Sequence, residues 1–248
     1  MGPTSFDLES TLKTINNAQH YDALWEGLIG YLTAAGADLI SYRHVAPPHA
    51  PDAGRVDTLT YGYPSAWGKH YIETKLYKHD PLLSAAYLHM VPILWSDILD
   101  NPKLDGAEQN FVSRLREWMK GDGYVIPTFG PSGRNGYFGI GNSASIQDWN
   151  PELTRNMQWA CRQFHLRYTA LRLEEIPSEF TLTDQEQSIL QSLSRGKGLG
   201  AIAMNMNMET HSLLSIYDKL LLKMSVSDLP SLMVRAKSLG LIKTMGRP

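Results

Sequence analysis

Five residues inside a 33-residue window carry chemistry that one small ligand could use: Tyr63, Trp67, Tyr71, Asp80 and Trp95. Tyr and Trp side chains each offer one hydrogen-bond donor, and a carboxylate offers several acceptor sites. Large aromatics around a single carboxylate suit a mostly apolar pocket with a few oriented polar groups, in which Asp80 could accept an amide N–H. Trp67 and Tyr71 are four residues apart, so on a helix they share a face. A plainer reading uses the same residues. Trp67, Tyr71 and Trp95 would then be ordinary core, and Asp80-Pro81 a helix start with Asp as N-cap and Pro in the first turn. Chemistry alone leaves both readings open.

Enzymatic signatures are absent from the sequence. There is no G-x-x-x-x-G-K-[ST] phosphate loop, and Gly139-Ile140-Gly141 lacks the third glycine of a dinucleotide fingerprint. There is no H-E-x-x-H and no G-x-S-x-G elbow, and the eight histidines show no ligand spacing, His44/His49 and His79/Asp80 being the nearest pairs. Cys161, the one cysteine, falls in a helix-like stretch and reads as a small buried apolar residue. A single cysteine also excludes an intrachain disulfide framework and fits a reducing compartment. We expect no enzyme, no metal and no cofactor.

The elements that would hold these residues read as α+β. Leu24, Leu28, Tyr31, Leu32 and Ala35 recur at helical spacing before Gly36. Strand formers run over 39–45 and 56–61, with Pro47, Pro48 and Pro51 between them and Gly62-Tyr63-Pro64 after. Helices are expected near 65–77, 81–89 and 106–120, strands over 124–129 and 136–141, and a long amphipathic helix over 151–173. Helices at both ends with strands between them suggest an antiparallel sheet between helix layers, an α/β/α sandwich.

Charge divides the chain. Residues 181–248 carry eight Lys/Arg against five Asp/Glu, and residues 1–180 carry 15 against 20. A small basic domain invites a phosphate-backbone hypothesis. Ile176-Pro177-Ser178-Glu179-Phe180 marks a break, which sets an N-terminal domain at 1–172, a linker at 173–180 and a C-terminal domain at 181–248. The C-terminal domain reads as four short helices. Thr183-Asp184-Gln185-Glu186 is a capping box, further helices cover about 199–206 and up to Met224, and Ser227 can cap a fourth. Two helices joined by a short turn in a basic module are what a helix-turn-helix requires. The opening MGPTSFDLES has two acids and no base, unlike a signal peptide, and no apolar run reaches the roughly 20 residues of a membrane span. The expected address is the cytoplasm, with no membrane partner.

The spacing of the aromatic set is more specific than its chemistry. Tyr63-x3-Trp67-x3-Tyr71-x8-Asp80-Pro81-x13-Trp95, with Gly123 28 residues later, resembles the autoinducer-binding domain of LuxR-type quorum-sensing regulators. The C-terminal run Thr181-Leu182-Thr183-x2-Glu186-x3-Leu190-x5-Gly196-Lys197, then Ile202-Ala203, Lys223-Met224 and Gly240-Leu241-Ile242, resembles their helix-turn-helix. The resemblance implies a dimeric transcriptional regulator that binds a homoserine lactone and palindromic DNA. It implies that Tyr63 meets the acyl amide carbonyl, Trp67 donates to the lactone carbonyl and Asp80 accepts the amide N–H. Tyr71 would line the acyl chain, and Trp95 would pack on the lactone ring.

Two departures qualify it. Gly139 stands where the family often has Ser or Thr, so we expect a lost hydroxyl, freed space, and a ligand that is bulkier there or lacks a 3-oxo group. The recognition helix, Thr210 to Met224, places Leu213, Tyr217, Leu220 and Met224 on a core stripe and His211, Leu214, Ser215, Asp218 and Leu221 toward DNA. Arg, Lys, Asn and Gln usually read bases. Here Thr210, His211 and Ser215 remain for bases or phosphates, and Lys197, Lys219 and Lys223 for phosphates. Two functions follow: a ligand-gated transcription factor, or a LuxR-like antagonist that binds lactone or heterodimerises but reads DNA poorly.

Overall fold

Alternation on two neighbouring strands sets the architecture. In Leu39–Val45 (β1) the residues Ile40, Tyr42 and His44 point one way, and Ser41 and Arg43 the other. In Asn135–Asn142 (β5) the apolar set is Phe138 and Ile140, and the opposite set is Tyr137, Gly139 and Gly141. The computed structural model describes residues 7–47, 50, 57–175 and 182–242. The residues of the expected linker from Ile176 to Phe180 lie outside them, as do Pro48, His49, Pro51 and Thr181.

The sheet has five antiparallel strands in the order β2-β1-β5-β4-β3, with β2 at Asp57–Tyr61, β3 at Ile93–Leu94 and β4 at Asp122–Phe129. Ile40, Tyr42, Ile126, Phe138 and Ile140 cover one face and pack against α1 (Leu8–Asn17), α2 (Tyr21–Ala34) and α7 (Pro151–Glu174). Cys161 is buried in this layer, and burial pushes its thiol well above the usual range, so it is a core residue. The other face carries α3 (Ser65–Glu73), α4 (Pro81–Leu88), α5 (Trp95–Leu99) and α6 (Gly106–Trp118) around two smaller apolar clusters. This is the expected α/β/α sandwich. It has three elements that the sequence reading lacked: α1, β3 and α5. All three are short, and the apolar stripe of α1, Leu8, Leu12 and Ile15, spans only two turns.

The chain divides into two compact units. One holds the described residues within 1–45, 56–130 and 135–171; the other holds those within 172–248 together with 131–134 and 46–55. In the second unit α8 (Asp184–Ser194), α9 (Leu199–Asn205), α10 (Thr210–Lys223) and α11 (Leu229–Ser238) enclose Leu190, Ile202, Leu213, Leu220, Met224 and Leu232. Thr183 and Glu186 form the expected capping box. The cap of α11 is Asp228, which accepts from Ser231 N at 2.7 Å, and not the expected Ser227. A carboxylate one residue nearer the helix takes the orphan donor better than a hydroxyl further out.

Candidate functional site

The polar side of β1 and the glycine side of β5 form the floor of a cavity of about 270 Å³ beneath α3, α4, α5 and α6. Tyr63, Trp67, Tyr71, Asp80, Trp95 and Gly139 all line it. The sequence-predicted set is therefore brought together in one place. Asp80 is a helix cap and a cavity-lining carboxylate at once. Its Oδ1 accepts from Leu82 N at 2.9 Å as the N-cap of α4, with Pro81 in the first turn. Its Oδ2 accepts from the Tyr71 hydroxyl at 2.7 Å. Each carboxylate oxygen keeps acceptor capacity beyond those bonds. Burial raises the Asp80 carboxyl above its ordinary range, opposed by the bonds from Tyr71, Leu82 and Leu83. Tyr71 thus orients Asp80 as well as lining the wall, a role the family pattern did not imply.

Trp67 is buried on α3, its ring 5.9 Å from Tyr71 and 6.4 Å from Phe111. Trp95 opens α5. The next residue ties it down: Ser96 N and Oγ donate to Asp122 Oδ1 and Oδ2 at 3.1 and 2.7 Å. The indole packs against bare backbone at Gly141. A Cβ added at Gly141 would stand 2.4 Å from Trp95 Cη2 and Cζ3, and one at Gly123 2.3 Å from Ile140 O. Gly141 makes the ring's seat, and Gly123 lets β4 close on β5 beside it. Trp95 Nε1 is buried with no protein acceptor.

Gly139 corrects an expectation. A Cβ there would meet Ser41 Oγ at 2.8 Å, and Ser41 is its register partner on β1. The space is filled and a hydroxyl is present; it has moved one strand across. The Tyr63 hydroxyl lies on the same side, 3.7 Å from that Cβ position, and burial pushes its ionisation far up. Sequence reasoning missed Ser41, Arg43, Thr58, Thr60 and Tyr137, which complete the polar lining. A serine and an arginine alternating with Ile and Tyr inside an apolar strand were the available signal.

The α9–α10 pair has helix-turn-helix form, with Asn207 in a left-handed conformation in the turn. Thr210, His211, Leu214, Ser215, Asp218 and Lys219 lie on the exposed side of α10, and Lys197 is exposed before α9. Two expected members of the DNA-facing set differ. Lys223 Nζ lies 2.8 Å from Glu186 Oε2, so this cation ties α10 to the capping box of α8 instead of standing free. Burial opposes it, but the bonds from Lys223 and Thr183 hold the Glu186 carboxyl below its usual range. Leu221 is half-buried against the core, and Leu222, 79% exposed, takes the outer position. His211 Nδ1 sits 3.0 Å from Glu209 Oε2.

Residues 21–168 match the family described as Autoinducer binding domain. The chain belongs to the LuxR-type autoinducer-binding regulators. It is a regulator of the quorum-sensing class and not an enzyme. It is 24% identical over 241 residues to the transcriptional activator protein AnoR of Acinetobacter nosocomialis, covering 95% of this chain and 98% of that one. It is 24% identical over 186 residues to RpaR of Rhodopseudomonas palustris, an HTH-type quorum sensing-dependent transcriptional regulator, covering 75% of each. Among solved structures, Escherichia coli SdiA shares the fold, with a TM-score of 0.75 and 18% identity over 96% of this chain and 98% of that one.

Proposed function

We propose that this regulator binds an N-acyl or aryl homoserine lactone in the cavity under α3–α6 and, as a homodimer, a palindromic DNA site through α9 and α10. The carrying observation is the convergence of Asp80, Trp67, Tyr63 and Trp95 on one largely apolar cavity. Asp80 accepts the ligand's amide N–H, Trp67 donates to the lactone carbonyl, Tyr63 meets the amide carbonyl and Trp95 packs on the lactone ring. The residues proposed for DNA are Lys197, Thr210, His211, Leu214, Ser215, Asp218 and Lys219. The chain works in the cytoplasm, where small autoinducers and chromosomal DNA are both in reach; no helix among the described residues is long and apolar enough to cross a membrane.

Ligand linkage supplies the switch. A ligand at 100 times its Kd stabilises the folded state by about 2.7 kcal/mol. Thermal unfolding of the purified protein against a panel of acyl and aryl homoserine lactones tests the reading. A dose-dependent rise in Tm for one member is expected, and a flat panel from a folded protein overturns it.

The surface of α10 supports a second reading. Leu214 and Leu222 are exposed, Asp218 stands among them, and Lys223 is committed to Glu186. A lactone-binding antagonist would need no better reading face. Selection of bound sequences from random DNA, with and without lactone, separates the two: no sequence preference at any ligand concentration leaves the antagonist.

A further inference from the structure

Two rows of the sheet floor the cavity. In the first, Thr60, Ser41 and Gly139 stand side by side on β2, β1 and β5, under Tyr63 and Trp95. In the second, two residues and about 7 Å further along the strands, stand Thr58, Arg43 and Tyr137. The amide and lactone groups of the proposed ligand belong to the first row. The second row lies further along, toward the ligand's acyl group.

Arg43 dominates that second row. Its guanidinium stands beside Tyr137, its register partner on β5, and lies 5.1 Å from the centre of the Tyr77 ring, with Tyr71 and Tyr87 also near it. Its Nη1 is buried and has no hydrogen-bond partner. The guanidinium makes no contact ion pair with Asp80, although its charge favours that carboxylate; the bonds Asp80 accepts from the protein come from Tyr71 and the first turn of α4. A guanidinium keeps its charge at all ordinary pH values and presents several donors in a fixed fork. A buried donor left over beside an aromatic-walled cavity calls for an acceptor that the protein does not supply. Stacking on Tyr77 explains where the guanidinium plane sits, but leaves Nη1 without a partner.

We propose that Arg43 is a second polar anchor of the cavity, and that it selects a lactone whose acyl group carries an oxygen acceptor several bonds beyond the amide. Ketone, hydroxyl and carboxylate oxygens share the needed chemistry. Tyr137 flanks the fork on the neighbouring strand, while Trp67 and Asp80 hold the other end of the ligand. This inference rests on the lactone reading above and narrows it to a ligand class.

The test is calorimetric titration of the full chain with three lactones of equal chain length: one plain, one with a ketone in mid-chain and one ending in a carboxylate. The wild-type protein is expected to bind at least one oxygenated lactone about tenfold or more tighter than the plain one, the size of one charge-assisted hydrogen bond. Arg43→Met is expected to erase that preference and leave plain-lactone affinity within about threefold. Tyr137→Phe should reduce the preference without abolishing it, and it keeps the test informative if Arg43→Met fails to fold in an unliganded melt. The ketone and carboxylate arms show which oxygen is read. Equal binding of all three by the wild-type protein overturns the inference while the lactone reading stands, as does a preference that survives in Arg43→Met or is untouched in Tyr137→Phe. Failure of every lactone to bind overturns both.

Discussion

The two faces of the one sheet are built to opposite rules. On β1, Ile40 and Tyr42 face α7 and are buried, while Ser41 and Arg43 face the cavity. On β5, Phe138 and Ile140 fill the first face, and Gly139 and Gly141 strip the second. The filled face pairs Tyr42 Oη with His165 Nδ1 at 2.8 Å amid rings of Phe138, Phe164 and Tyr168, and leaves small hydroxyls such as those of Thr128 and Thr169 buried without a partner. The cavity face keeps Arg43 Nη1 and Trp95 Nε1 without protein acceptors. Stability is concentrated on one side and recognition on the other, and a period of two residues lets one strand serve both.

Substitutions on the two faces should therefore fail differently. The largest effect is expected from Phe138→Ala, which empties part of the packed face. About 3–5 kcal/mol of folding stability should be lost, read by denaturant unfolding without ligand. A small loss would mean that this face is not the stabilising one.

Asp80→Asn comes next. Asn still caps α4, so unliganded stability at low pH should hardly change. Lactone affinity should fall by about 1.5–3 kcal/mol, the range for a hydrogen bond to a charged group; unchanged affinity would leave Asp80 a helix cap only. The pH dependence carries a sign. The folded carboxyl titrates above its ordinary range. Its ionisation therefore disfavours the folded state, and this cost is absent below the unfolded pKa and grows as pH rises through the folded one. Relative to Asp80→Asn, the unliganded wild-type protein should lose stability over that interval, while its lactone affinity rises as the carboxylate forms. Paired melts and titrations of both proteins across that interval read both signs.

The smallest effect is expected from Trp67→Phe. The ring is replaced by a ring, and one neutral hydrogen bond, about 1 kcal/mol of binding, is lost. A much larger loss in titration would mean that Trp67 also shapes the wall against Tyr71 and Phe111. A fall in unliganded Tm to match would move Trp67 to the stabilising side of the comparison.

Much of the site was legible before any coordinates because its residues are close in sequence and distinctive in type. Tyr63, Trp67 and Tyr71 share one short segment, and Asp80-Pro81 is a local capping signal whose geometry depends on adjacent residues alone. The capping box at Thr183 and Glu186 was readable for the same reason. What eluded the sequence came from pairing between distant segments. Ser41 replaces the missing hydroxyl of Gly139 only because β1 and β5 are register partners. Asp122 holds Ser96, and with it the start of α5 at Trp95, from 26 residues away. Lys223 looked free for phosphate until α8 packed beside it and offered Glu186.

The sequence by itself determined the order of the longer elements, the period of the strands, the caps at Asp80 and Thr183 and the aromatic cluster around Asp80. Each of these follows from backbone preferences and side-chain chemistry within a few turns of chain. Tertiary structure alone decided which face of each strand became core and which became cavity, and which polar groups were left without partners. Those outcomes depend on strand register and helix packing, where a one-residue slip would turn Arg43 into the core and Tyr42 into the pocket.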